Sequence, residues 1–177
     1  MKQIVTLMVI LFGVVISSCS NSGKTTSDKF TQALPSGKKI DDVIKGYFDK
    51  NDWHYRMYTD EDSIITFVLK FRGDNETLNF RVNVIPQDEI YQIICQSETK
   101  LDAKDMQNGI IAMNKYNLRT QVVSGCISRK GDIIFWLGRN TDGNTFSEQA
   151  FAVDLDMVFK EADEETAQIY KQALSKI

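Results

Sequence analysis

The sequence predicts an α+β domain built on an antiparallel sheet, in the order helix, four strands, helix, two strands, long C-terminal helix. Two observations carry this prediction. Apolar residues recur at helical spacing up to Lys50, alternate with polar ones from Trp53 to Cys95, and return to helical spacing after Leu101. The strands are joined by turns such as Asp60-Glu61-Asp62, Gly73-Asp74-Asn75 and Arg129-Lys130-Gly131. Turns that short serve antiparallel neighbours, because parallel strands need a crossover of a dozen residues or more. At 177 residues, 42% apolar and 25% charged, the chain has the material for one core.

The elements follow in order. Ile40, Val43, Ile44, Tyr47 and Phe48 form one apolar stripe, bounded by Pro35-Ser36-Gly37 and Lys50-Asn51-Asp52, which predicts a helix over 38–50. Trp53, Tyr55 and Met57 then alternate with His54, Arg56 and Tyr58 in a first strand. In the second, Ile65, Phe67, Leu69 and Phe71 face one side and Ile64, Thr66, Val68 and Lys70 the other. The third alternates cleanly, with Leu78, Phe80, Val82 and Val84 on its dry side, and Pro86-Gln87-Asp88 turns into a fourth over 89–96. A helix follows from Leu101, with Asp102 as a cap and Met106, Ile110 and Met113 on one face. Strands over 118–128 and 132–139 come next. Thr145 with Glu148 is a capping-box pattern opening the last helix, whose polar middle, Glu161 to Gln168, interrupts its stripe. The run Glu161-Ala162-Asp163-Glu164-Glu165 reads as a solvated helix face.

This layout resembles the YbjN-like domain, related in fold to type III secretion chaperones. Three landmarks carry the resemblance over 37–177. They are an opening helix running into Asp52-Trp53-His54-Tyr55 and a hydrophobic meander, the Asn-x-x-Asn of Met113-Asn114-Lys115-Tyr116-Asn117 closing the middle helix, and a two-strand hairpin feeding a long C-terminal helix. The resemblance implies the fold and a chaperone- or adaptor-like character. It does not imply the cytoplasmic setting of many relatives, because the N-terminus of this chain differs.

Lys2 precedes an apolar run from Ile4 to Ile16. As a helix this run spans about 20 Å, short of the roughly 30 Å hydrocarbon core, so it reads as a signal peptide rather than a membrane span. It ends in Ile16-Ser17-Ser18-Cys19, which resembles the lipobox of bacterial lipoproteins, where the cysteine is joined to diacylglycerol and the chain is cut before it. The expectation is therefore a signal peptide over 1–18, lipidation at Cys19, a flexible polar tether over 19–36 and a domain over 37–177, held on a membrane of the bacterial cell envelope outside the cytoplasm. Removing residues 1–18 takes away Lys2 and no acid, which moves the net charge from −3 to −4. An acidic chain with a pI near 5.2 argues against a nucleic-acid partner.

The chemistry of a catalytic or metal site is sparse. His54 is the one histidine, and Cys95 and Cys126 stand far from it in sequence and sit in apolar strand patterns, the ordinary context of inert thiols. Asp60-Glu61-Asp62 reads as a charged turn. The loop Asn140 to Asn144 places its glycine two positions early for a Ca²⁺ loop and Phe151 where a bidentate glutamate belongs. No Gly-rich phosphate loop appears. The sequence thus points to no catalytic residue, no metal and no cofactor. Cys95 and Cys126 both have the parity of core-facing residues, and an exported compartment would permit a disulfide between them.

One feature points to binding. A sheet with helices on one face should be polar on the other. Yet the last strand is apolar on both sides, with Ile134 and Trp136 out of phase with Phe135 and Leu137, and the second places Ile64 and Val68 opposite its core residues. Either the C-terminal helix covers this second apolar surface, or it serves a protein or peptide partner or a second copy of the chain. The expected function is a non-enzymatic, lipid-anchored domain that binds a protein or peptide. An envelope hydrolase with a carboxylate site and a purely structural envelope lipoprotein are the alternatives.

Overall fold

The computed structural model of the chain describes residues 39–141 and 146–175. The predicted signal peptide, Cys19 and the tether lie outside the described residues, as does Thr145. The elements are α1 (Ile40–Lys50), β1 (Tyr55–Thr59), β2 (Ile65–Arg72), β3 (Thr77–Ile85), a single 3-10 turn (Pro86–Asp88), β4 (Ile90–Lys100), α2 (Met106–Asn117), β5 (Ser124–Ile127), β6 (Asp132–Asn140) and α3 (Glu148–Leu174). The six strands form one antiparallel sheet in the order β1-β2-β3-β4-β6-β5, so the predicted α+β class and element order hold.

All three helices pack on one face of this sheet, as their aromatic contacts show. Phe48 of α1 meets Phe67 of β2 and Phe151 of α3. Phe151 meets Tyr91 of β4, and Tyr116 of α2 meets Phe135 of β6. Phe48, Phe67, Phe135 and Phe151 are fully buried, each contributing about 1.5–3 kcal/mol by leaving water. Every side chain of the described core comes from between Ile40 and Ala173, so residues 37–177 carry that core complete.

The polar middle of α3 neither breaks nor bends away. The helix runs unbroken from Glu148 to Leu174 and buries Asp163 and Thr166. Asp163 is not part of a solvated face. Its carboxylate accepts backbone N–H bonds from Asp74 (3.0 Å), Asn75 (3.1 Å) and Glu76 (2.8 Å), and a further one from the Asn75 side chain at 3.2 Å. Successive backbone donors around one anion form a nest, here closing the β2–β3 hairpin onto α3. The hairpin begins with glycine for a reason of space, since a Cβ on Gly73 would lie 2.1 Å from Asp163 Oδ1.

Other expectations are corrected. α2 starts at Met106, not Leu101. Asp102 makes a turn with Asp105 instead of capping, and Leu101 is buried against the sheet end through its N–H to Gly131 O (2.9 Å). The buried face of α2 is Gly109, Ala112, Met113 and Tyr116, while Ile110 points outward. α3 is capped by Ser147, whose hydroxyl accepts the Ala150 N–H at 3.0 Å.

β5 begins at Ser124, because α2 continues to Asn117 and the chain must then turn back to the sheet. Leu118 is exposed and Val123 is buried, so the strand parity drawn from Leu118 through Cys126 fails. The disulfide falls with it. Cys95 faces the core opposite Phe135, whereas Cys126 leaves the other face opposite Ile134, with β6 between the two strands. Both cysteines are free.

Candidate functional site

Among the described residues no helix lies on the other face of the sheet, which is open. Register places Arg56, Val68, Arg81, Ile94, Trp136 and Ser124 in one row across the six strands. Neighbouring strands lie about 4.8 Å apart, so the row is a lane of roughly 24 Å in which cationic and apolar side chains alternate from Arg56 to Ile94 before Trp136 and Ser124 complete it. Trp136 is 44% exposed. Its ring lies along β6 over Gly138, where an added Cβ would stand 3.7 Å from the Trp136 ring and 3.9 Å from Gln92 Cγ. The ring thus shields a strand glycine on one side and offers its other face to solvent.

The four residues predicted for this surface are only partly brought together. Ile134 and Trp136 are neighbours on the open face of β6. Val68 shares the row of Trp136 but stands three strands away, about 14 Å. Ile64 precedes β2 at the end of the sheet, its N–H held by Asp60 Oδ1 at 2.9 Å, and lies outside the row. The residue that joins Trp136 to the middle of the face is Ile94, directly opposite it on β4. Its signal was present in the sequence, since Ile90 and Ile94 make β4 apolar on both sides, like β6.

Around this strip the face is polar and basic. Asn79, Asn83, Gln92 and Gln96 occupy the central strands, and Thr66 donates its hydroxyl to Asn83 Oδ1 at 3.1 Å. Two ion pairs lie on it, Lys70–Glu98 (2.5 Å) and Lys100–Asp132 (2.7 Å). Lys70 holds the Glu98 carboxyl below its ordinary range, and Lys100, with the Ser128 hydroxyl, does the same for Asp132. Arg56, Arg72 and Arg81 are exposed and, among the described residues, stand in no ion pair.

A cleft of about 290 Å³ on the other side of the sheet, between β4, β6 and the start of α3, holds a polar cluster. Asp154 accepts Arg139 Nε and Nη2, each at 2.9 Å, and the Tyr91 hydroxyl at 2.5 Å. Burial, reinforced by the bond to Asp154, pushes the Tyr91 hydroxyl up, so it stays protonated. The same carboxylate raises Arg139 above its ordinary value. Both oxygens of Asp154 are therefore occupied, and the cluster clasps α3 to β4 and β6.

The carboxylate and thiol groups weighed in the sequence do not converge among the described residues. Among the described residues no three His, Cys, Asp or Glu side chains are grouped as metal ligands would be. The Cys95 thiol is pushed up by burial and sits in the core. Asp60-Glu61-Asp62 forms a turn in which Asp60 Oδ1 accepts the N–H groups of Asp62 and Ile64. Asn117, which closes α2, brackets Gly125. Its amide donates to Gly125 O (2.9 Å) and accepts the Gly125 N–H (2.8 Å), so a side chain satisfies the outer backbone of β5.

Among solved structures, YbjN from E. coli, a proposed transcription regulator, aligns with 75% of this chain and 89% of its own length, at a TM-score of 0.52 and 7% identity. The fold is YbjN-like. An uncharacterised protein from Methanothermobacter thermautotrophicus aligns with 73% of this chain and 95% of its own at a TM-score of 0.49 and 18% identity. No protein-family model and no curated protein sequence matches the chain. The YbjN likeness extends to the fold, and at 7% identity it transfers no residue roles. Within this YbjN-like fold, Trp136, Ile94 and Ile134 form an apolar strip on the open sheet face.

Proposed function

We propose that this protein is a lipid-anchored, exported adaptor that binds a protein or peptide partner on the open face of its sheet. The observation that carries the reading is Trp136, a large aromatic side chain left half in water on a face that no helix covers among the described residues. Tryptophan is a favoured hot-spot residue, and its cost of exposure is recovered when a partner covers it. The YbjN-like fold is compatible with an adaptor role, and Asp154, the carboxylate that lines the cleft among the described residues, has both oxygens taken by Arg139 and Tyr91. The lipobox supports attachment through Cys19, with the tether leaving the domain within a few tens of ångströms of the membrane.

Two substitutions test the reading. Trp136→Ala in residues 37–177 removes a half-buried ring, which costs about 1–2 kcal/mol in urea unfolding, below the 3–5 of a core tryptophan. It also abolishes partner capture or self-association seen with the unaltered domain. Capture unchanged by the substitution would remove this face as the binding surface. Cys19→Ala in the full chain should eliminate incorporation of radiolabelled fatty acid. Equal labelling of both chains would refute the anchor.

A further inference from the structure

The open face is charged in the opposite sense to the rest of the molecule. The chain carries −3 overall, and α3 alone has seven acidic side chains against Lys160 and Lys171. On the open face the acids Glu98 and Asp132 are each neutralised by a lysine, and Arg56, Arg72 and Arg81 remain. Arg56 and Arg81 flank Val68 in the central row, and Arg81 and Trp136 flank Ile94, so cations and apolar side chains interleave at strand spacing. We propose that this face is a docking surface for a short acidic polypeptide segment bearing apolar side chains, its carboxylates met by Arg56 and Arg81 and its apolar groups by Ile94 and Trp136. The inference rests on the reading of the open face as the binding surface and names the chemistry of its occupant.

The surroundings select a short segment over an extended polyanion. The β1–β2 turn carries Asp60, Glu61 and Asp62, and the β3–β4 turn carries Asp88 and Glu89. Antiparallel succession puts both turns at the same end of the sheet, where Gln87 Nε2 donates to Asp62 O at 3.4 Å. An anionic membrane, or a nucleic acid running along the strands, would meet that acidic rim, whereas a peptide lying across the strands within the lane of roughly 24 Å would not. The amides of Asn79, Asn83, Gln92 and Gln96 add hydrogen-bonding groups suited to peptide backbone. Arginine forks bind carboxylates bidentately, which favours Asp and Glu as the recognised groups.

The test is fluorescence anisotropy on residues 37–177 with a labelled peptide of Glu-Glu-Leu repeats and its counterpart with Lys for Glu. The acidic peptide should bind and the basic one should not. Binding should weaken from about 50 mM to about 300 mM salt, as the Debye length falls from roughly 14 Å to 6 Å. Arg81→Glu, at an exposed site that leaves the core intact, should weaken it by about tenfold or more, and Arg81→Gln by less. Urea unfolding of both variants confirms that they are folded. If both peptides bind equally and both are lost in Trp136→Ala, the binding face stands and the acidic occupant is overturned. If neither peptide binds, the peptide-docking face itself is overturned. Phosphatidylglycerol vesicles or a labelled oligonucleotide bound through Arg81 in place of the peptide would also overturn the proposal.

Discussion

Replacing Asp163 by alanine should loosen the β2–β3 hairpin from α3, and the size of the loss follows from the geometry of its nest. The carboxylate accepts three successive backbone N–H groups at 2.8–3.1 Å. A hydrogen bond to a charged group contributes about 1.5–3 kcal/mol when its partner is left unpaired in the interior. Here Asp74 and Asn75 are exposed, so water can replace the lost acceptor for two of the donors, while Glu76 is half-buried. Asp163→Ala also relieves the desolvation of a carboxylate that is 6% exposed. The net loss should be about 2–4 kcal/mol, a large part of the about 5–15 kcal/mol that holds a domain together.

Gly73 sharpens the test. A Cβ at that position would stand 2.1 Å from Asp163 Oδ1, so Gly73→Ala must push the carboxylate out of the nest and cost a similar amount. With Asp163 already replaced, the same Gly73→Ala meets empty space and should cost about 1 kcal/mol or less. Urea unfolding of the wild type, both single variants and the double variant gives a coupling of about 2 kcal/mol or more. Hydrogen exchange at the amides of Asp74 to Glu76 should accelerate in both single variants. Additivity within about 0.5 kcal/mol would refute the nest as the link between hairpin and helix.

Two further outcomes are expected. In native residues 37–177 a thiol reagent should label Cys126 and leave Cys95 untouched until the domain unfolds, because one thiol lies on the exposed face and the other in the core; no labelling under non-reducing conditions would restore the disulfide. Asp132 is held below its ordinary carboxylate range by Lys100 and Ser128, so its contribution is present above the unfolded value near 4 and lost as pH falls through the lower folded value. Asp132→Asn should therefore be less stable than wild type at about pH 6, with the gap closing below about pH 3. Urea midpoints measured across that range, with a gap that does not change, would contradict this sign.

The order of elements and the phase of β2, β3 and β6 were readable because period and turn chemistry agree over whole segments. Phe135 and Leu137 face the core and Trp136 the open side, as alternation requires. The failures fall where local pattern and tertiary structure diverge. Asp163 looks like any acid in a charged helical run, and only the hairpin, 89 residues earlier in the sequence at Asp74, gives the carboxylate its donors. Asn117 reads as a helix stop, and its pairing with Gly125 depends on where the following loop lands. Cys126 was given the wrong face because the start of β5 was placed six residues early, and a strand boundary carries no period of its own. At the candidate site, Trp136 and Ile134 were legible as out-of-phase apolar residues. Ile94 and the two arginines became part of the same surface only once strand order and register set β3 and β4 between β2 and β6.

The bracket that Asn117 forms around Gly125 makes the two margins of the sheet unequal. At β5 the backbone of Gly125 is already satisfied by a side chain from within the molecule. At β1 the described structure places no strand beyond Tyr55–Thr59, and Met57 and Tyr58 are exposed there. A sheet with two free margins can recruit copies indefinitely and grow into a fibre, whereas one with a single free margin exhausts it in the first pairing. Among the described residues β1 is therefore the more available margin for edge-to-edge pairing, and a pair joined β1 to β1 leaves a bracketed Gly125 at each outer end. Substituting Asn117 would free the Gly125 N–H and C=O at the β5 margin.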